Sequence, residues 1–220
     1  MPYDAIVFDN DGVLTTPTDR ERMREAAREA FAAVGVADPP AEYVADFAAG
    51  PTAERLETVA ADLDVDPATL WYWRDRESTL VQQAAVRAGE KHPYDDVDTL
   101  AGLDRPLGIV SSNQHPTVEF LLDHFDLREH FDTHYGREAT VTSLRRKKPD
   151  PHYIRQALAD LDAEDALYVG DSEHDVTAAY NAGMDAAFLR RPHNADLSLS
   201  VAPEHEIEGL GALADLLAAE

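Results

Sequence analysis

The chain has no cysteine and, in 220 residues, only three lysines, Lys91, Lys147 and Lys148. Without thiols there is neither a disulfide framework nor a thiolate metal site, so any metal must be held by oxygen or imidazole. No apolar run approaches the roughly 20 residues that span a bilayer. The opening residues, MPYDAIVF, lack the basic start and cleavage site of a secretory signal, and the expected location is cytoplasmic. Basic residues are scarce altogether, 19 against 43 acidic ones, for a net charge of -24. A field of that sign repels nucleic acid and anionic membranes, which leaves a small molecule as the expected partner; oligomeric state has no signature here. The acids are dispersed rather than collected in a tail, the pattern of a solvated halophilic surface. At molar salt the Debye length falls to about 3 Å, which screens self-repulsion that would loosen the fold.

What is present begins at Ala5. The apolar run Ala5 to Phe8 reads as a buried strand and stops at Asp9-Asn10-Asp11-Gly12, placing two carboxylates two residues apart where strand gives way to loop. Beyond Leu14 the period changes to helical. Thr18, with Glu21 at capping-box spacing, opens a helix that Gly35 closes. Ala41 to Ala48, Thr52 to about Leu63, and a stretch opened by Asp66-Pro67 and running towards Val86 give three more helices. No alternating strand pattern interrupts them. The chain is therefore expected to divide into a core of residues 1–16 and 89–220 and an all-helical insertion of residues 17–88. Trp71, Tyr72 and Trp73 are expected in the core of that insertion, with Arg74 and Arg76 facing an anionic substrate across a cleft.

Strand and helix then alternate. Strands are expected at Pro106 to Val110, Phe131 to Tyr135, Ala166 to Val169 and Ala186 to Leu189, and helices at Pro116 to His124, after Pro149, at Asp175 to Asn181 and at Leu210 to Ala219; residues 190–205 read as loop. Such alternation forms an α/β parallel sheet covered on both faces, whose ligand crevice lies at the C-terminal ends of its strands. Asp9-Asn10-Asp11, Ser111-Ser112-Asn113 and Gly170-Asp171-Ser172 each follow a strand and should converge there, with Lys148 beside them.

Four carboxylates, Asp9, Asp11, Asp171 and Asp175, then face one certain cation, Lys148, and this imbalance calls for a divalent metal. All-oxygen ligation favours magnesium over zinc. Asp171 and Asp175, one turn apart at a helix start, could face the same point. A carboxylate beside a cation and a lysine suits in-line attack on phosphorus: Asp9 as nucleophile, Asp11 as acid and then base, Ser111, Ser112 and Asn113 around the phosphoryl oxygens, and Lys148 neutralising charge. Lys147 is the nearest rival to Lys148. His130 and His134 have the spacing of a helical metal pair, but on a strand they would be about 13 Å apart and read as surface residues.

Asp9-Asn10-Asp11-Gly12-Val13-Leu14, Ser111-Ser112, Lys148-Pro149 and Gly170-Asp171-Ser172-Glu173-His174-Asp175 resemble, in order, the four motifs of the haloacid dehalogenase-like hydrolase superfamily. The helical insertion is similar to the C1 cap of its phosphoglycolate phosphatase and beta-phosphoglucomutase-like branch. The resemblance implies a Rossmann-like core with an inserted helical cap. It also implies magnesium held by Asp9, the Asp11 carbonyl and Asp171, with Asp175 supporting these ligands, and hydrolysis of a small phosphate ester through a phosphoaspartyl intermediate on Asp9. The second aspartate, Asp11, separates the chain from dehalogenases. Lys91, at the exit of the insertion, is the only candidate for the cap lysine of phosphonatases. Leu14-Thr15-Thr16-Pro17 replaces the Asp-Thr or Asp-Ser pair usual in mutases, although a sugar-phosphate mutase is the nearest alternative. From other classes, a phospho-accepting receiver and a non-catalytic binding protein are the alternatives.

Overall fold

The computed structural model describes residues 3–218. Six parallel strands, β1 (Ala5–Phe8), β2 (Leu107–Gln114), β3 (Thr133–Arg137), β4 (Ala166–Gly170), β5 (Asp185–Leu189) and β6 (His205–Ile207), form one sheet in the order β3-β2-β1-β4-β5-β6. This is the doubly wound Rossmann order, and the direction of winding reverses between β1 and β4. β1 is buried on both faces, as its continuous apolar run requires. Ile6 and Phe8 enter a cluster with α5 (His115–His124) and α9 (Gly211–Ala218), whereas Ala5 and Val7 enter another with α7 (His152–Leu161) and α8 (Glu173–Ala182).

The four helices between β1 and β2 are α1 (Arg20–Ala33), α2 (Ala41–Ala49), α3 (Ala53–Asp62) and α4 (Pro67–Arg87). They bury their own apolar cluster of Phe31, Phe47, Leu56, Val59, Leu70 and Trp71, to which Leu144 of α6 (Val141–Arg145) is added from the sheet side. The two connections to the sheet run side by side, where the Thr16 amide donates to the His92 carbonyl at 2.9 Å. No described helix is long and apolar enough to cross a membrane.

The sequence expectations need several corrections. Asp19, not Thr18, caps α1: one carboxylate oxygen accepts from both the Glu21 and Arg22 amides, satisfying two orphan donors. Thr18 instead donates to Gln82 at 3.3 Å. β2 continues through Ser111, Ser112 and Asn113 past an irregularity in its pairing with β3, so these residues belong to the strand rather than to a loop after it. α8 starts at Glu173 with Ser172 as its cap, which places Asp171 in the turn before the helix and not on it. Tyr72 is exposed on α4, and only Trp71 of the aromatic triplet is fully buried. β6 and α6 were too short to register as periodic patterns. Ala219, expected in the last helix, lies outside the described residues.

Candidate active site

β1 and β4 are neighbours in register. Phe8 pairs with Val169, and the Asp9 amide donates to the Val169 carbonyl at 2.9 Å. Adjacent strands are about 4.8 Å apart, so chains leaving them at the switch point deliver Asp9 and Asp171 to one cleft. Gly12 turns the first loop with φ +80, and a Cβ there would collide with the Asp171 carboxylate. Gly12 thus lets the first loop close on the β4 loop, whereas Gly170 lies flush against Asp175 and lets its own strand-to-helix turn fold tightly.

Oxygens of Asp9, Asp171 and Asp175 all lie within 4.8 Å of one another. Lys148 Nζ reaches Asp9 Oδ1 at 2.9 Å and Asp175 Oδ1 at 2.6 Å, and donates to the Val110 carbonyl at 3.2 Å and the Tyr168 hydroxyl at 2.9 Å. Asp175 Oδ2 accepts from the Asp171 and Ser172 amides and, at 2.5 Å, from the Ser172 hydroxyl, in a capping box. Burial pushes the Asp9 carboxyl up to about 8; Lys148 opposes this, and Asp175, Asp171 and Asp11 add to it. Asp171 is raised by burial and by Asp175, with a hydrogen bond from His193 acting the other way. Lys148 is held well above its usual range because Asp175 and Asp9 outweigh its own burial.

One expectation was incomplete. Lys148 is not the only cation at the site: Lys91 is buried against Asp11, and also donates to the Thr16 carbonyl at 2.6 Å. Burial would raise the Asp11 carboxyl, but the Lys91 charge and hydrogen bonds from Lys91, Asn113 and Asn10 bring it below its ordinary value. Asp11 is thereby compensated, and the charge excess resides in Asp9, Asp171 and Asp175 against Lys148. A buried, all-oxygen, net negative set of this kind fits a hard divalent cation of the magnesium type. Asp9, Asp171 and Asp175 are the carboxylates close enough together to share it.

Ser111 is buried within β2, its hydroxyl accepting from the Asn113 amide at 3.1 Å, while Ser112 and Asn113 line a cavity of about 260 Å³ shared with Asp11. The Asn113 side chain donates to Asp11 Oδ2 at 2.8 Å and to Gln82 of α4 at 2.7 Å, joining the helical layer to the first motif. Lys147 faces away from Lys148, donating to the Gly50 and Pro51 carbonyls at 2.9 Å. Arg74 is buried in the same cavity wall, whereas Arg76 lies over Trp73 and pairs with Glu77.

Loop residues after β5 were missed by sequence reasoning. His193 Nε2 donates to Asp171 Oδ2 at 2.6 Å, Asn194 donates to the Asp171 carbonyl at 2.8 Å, and Arg191 donates to the Val13 carbonyl at 2.9 Å while pairing with Asp96. The signal available was position alone: the loop leaves the C-terminal end of another parallel strand. His134 is separate from His130 and instead stacks on His115 at 5.6 Å. His115, Glu119 and His134 could also group around a metal; His115 Nδ1 accepts from the Gly136 amide and Arg128 faces His134 Nε2 at 3.3 Å, which occupies one nitrogen of each ring.

Residues 6–189 match the family model described as haloacid dehalogenase-like hydrolase. The pyrophosphatase PpaX of Bacillus cereus is 36% identical over 96 residues, which are 43% of this chain and 43% of that protein, so the chain matches under half the length of such curated relatives. Among solved structures, CbbY from Rhodobacter sphaeroides in complex with phosphate superposes with a TM-score of 0.69 at 24% identity, over 96% of this chain and 99% of that one. A haloacid dehalogenase-like family hydrolase from Streptococcus pneumoniae gives 0.61 at 20% identity, over 97% and 98%. At those identities the superpositions speak for the fold, and the match over most of the sequence speaks for descent: the chain belongs to the haloacid dehalogenase-like hydrolase family, in its helically capped form.

Proposed function

We propose that the protein is a magnesium-dependent phosphatase that hydrolyses a small phosphorylated metabolite through a phosphoaspartyl intermediate on Asp9. The observation that carries this reading is Lys148 Nζ held between Asp9 and Asp175 beside an uncompensated cluster of buried carboxylates. Asp9 would attack phosphorus as the ester P–O bond breaks, and Asp11 would give its proton to the leaving oxygen. Water would then attack phosphorus, losing its proton to Asp11 as the bond to Asp9 breaks. Lys91 opposes the protonated Asp11 that the first half-reaction uses and favours the ionised form used by the second. Lys148, Ser111 and the amides near Ser112 would surround the phosphoryl oxygens. Magnesium, held by Asp9, Asp171 and the Asp11 carbonyl with Asp175 and His193 bracing Asp171, would supply further positive charge to those oxygens. The name of the PpaX relatives and the phosphate in the CbbY structure support phosphoryl chemistry.

The reading places the enzyme in a salt-rich cytoplasm. A screen of phosphate monoesters with magnesium at molar potassium chloride is expected to give phosphate release that EDTA abolishes and that declines in dilute buffer. Release indifferent to EDTA would remove the metal from the reaction, and full activity in dilute buffer would remove the halophilic part.

Metal binding should also depend on pH. In the metal-free folded state Asp9 keeps its proton up to about pH 8, against an ordinary value of 3.8, so between these limits the folded chain holds more protons than the unfolded one. Metal-free stability therefore falls as pH rises through that window. A divalent ion needs the carboxylate ionised and releases the proton. The rise in Tm on adding magnesium is expected to be larger near about pH 8.5 than near about pH 6; a rise independent of pH would take Asp9 out of the ligand set.

A further inference from the structure

The cavity above Asp11 is more basic than a single phosphoryl group requires. Its far wall carries Arg74 of α4, Arg137 at the end of β3 and Lys147, in a protein whose net charge is -24. Asp75 is the acid that answers them. Its carboxylate takes Arg137 Nη1 and Nη2 at 2.6 and 2.7 Å, Arg74 Nη1 at 3.2 Å and the Gln114 amide at 3.1 Å, the last three partners sharing Oδ1 and Arg137 Nη1 lying on Oδ2. Among the described residues, no carboxylate lies within ion-pair distance of Lys147, whose ammonium is seated on the Gly50 and Pro51 carbonyls. Gly50 also stands between Lys147 and Arg74: its carbonyl accepts from one, and a Cβ on it would touch Nη2 of the other at 3.5 Å. Three cations around one anion leave an excess of two positive charges in a cleft whose walls include Trp71, Leu144 and Ala48. That excess costs free energy until an anion enters. The Lys147 ammonium is held down to about 8 by burial and by the neighbouring Arg137 and Arg74 charges, which is the electrostatic expression of the same excess.

Resting on the phosphatase reading, we infer that the substrate carries a second anionic group, a carboxylate or another phosphoryl group, remote from the ester that is cleaved and bound by Lys147 and Arg74. Asp11, Ser112 and Asn113 of the proposed phosphoryl site and Lys147, Arg74 and Gly50 line one and the same cavity, so a single molecule could meet both groups. Arg137, already saturated by Asp75 and the Ser112 carbonyl, holds the wall in place rather than meeting the ligand.

The test compares kcat/KM for alkyl phosphates of one skeleton ending in a carboxylate, in a second phosphate or in the neutral primary amide, with p-nitrophenyl phosphate as a generic ester. A charge-assisted contact supports a preference for the anionic ends of about tenfold to a hundredfold over the amide. The ratio is expected to collapse towards one in Lys147→Gln and to be largely kept in Lys147→Arg, with circular dichroism melts confirming that each variant is folded. Which anionic end is preferred assigns the group. Release from all esters without an anionic preference, or a preference that survives Lys147→Gln, overturns the subsite and leaves the phosphatase reading intact. No release from any ester, the generic one included, overturns that reading and the subsite with it.

Discussion

Asp9→Asn is expected to lower phosphate release by more than about a thousandfold while leaving the chain folded. The amide has the shape of the carboxylate but cannot attack phosphorus, and no other carboxylate stands where it could substitute: Asp171 is bound to His193, Asp175 to the Ser172 hydroxyl and backbone amides, and Asp11 to Lys91. The stability effect should run the other way. Asp9 is the member of the cluster whose ionised form is most opposed by burial and by its acidic neighbours, so above about pH 8 the metal-free protein carries a charge it would be more stable without. Replacing it by the neutral amide should raise the Tm of the metal-free protein at that pH and shrink the further rise produced by magnesium. Parallel phosphate assays and melts measure both. A variant that keeps a tenth of the wild-type rate would remove Asp9 as nucleophile, and one that loses activity together with its fold would show a structural role instead.

The second large effect concerns the ion pair between the cap and the sheet. Asp75 on α4 and Arg137 on β3 are both fully buried and joined by two hydrogen bonds. Such a pair is weak evidence for stability compared with an apolar replacement, but removing one partner leaves a buried charge unanswered, at about 3–5 kcal/mol. Against a total of about 5–15 kcal/mol for a typical domain, that is a severe loss. Asp75→Asn should therefore lower the urea midpoint far more than the surface change Arg22→Ala, whose partner Glu90 is exposed. The double change Asp75→Leu with Arg137→Met is expected to recover only part of the loss, because Arg74, also bonded to Asp75, still lacks its anion. Full recovery would mean that Arg74 is satisfied elsewhere, which would also weaken the case for a second anion in the cavity.

Much of this was legible in one dimension. A continuous apolar run ending in Asp9-Asn10-Asp11-Gly12 announces a buried parallel strand and its loop, because burial on both faces and glycine's freedom at positive φ are local demands. The helices of the insertion were readable mainly from their period, with Asp66 before Pro67 capping as expected, whereas Thr52 caps the helix it was expected to begin and Asp19 caps the one assigned to Thr18. Lys148 could be preferred to Lys147 from the motif alone; in the structure Lys148 reaches Asp9 while Lys147 donates to the Gly50 carbonyl.

Sequence by itself determined which strands would be buried, where the helices lie between them and which acidic loops leave the sheet, since these follow from side-chain period and backbone propensity over a few residues. Only the tertiary structure decided what meets those acids. Lys91 is 80 residues from Asp11, His193 is 22 residues from Asp171 and Arg137 is 62 residues from Asp75. Pairings at such separations are fixed by strand order, register and the seating of one helical layer on the sheet, and no periodicity in the chain encodes them.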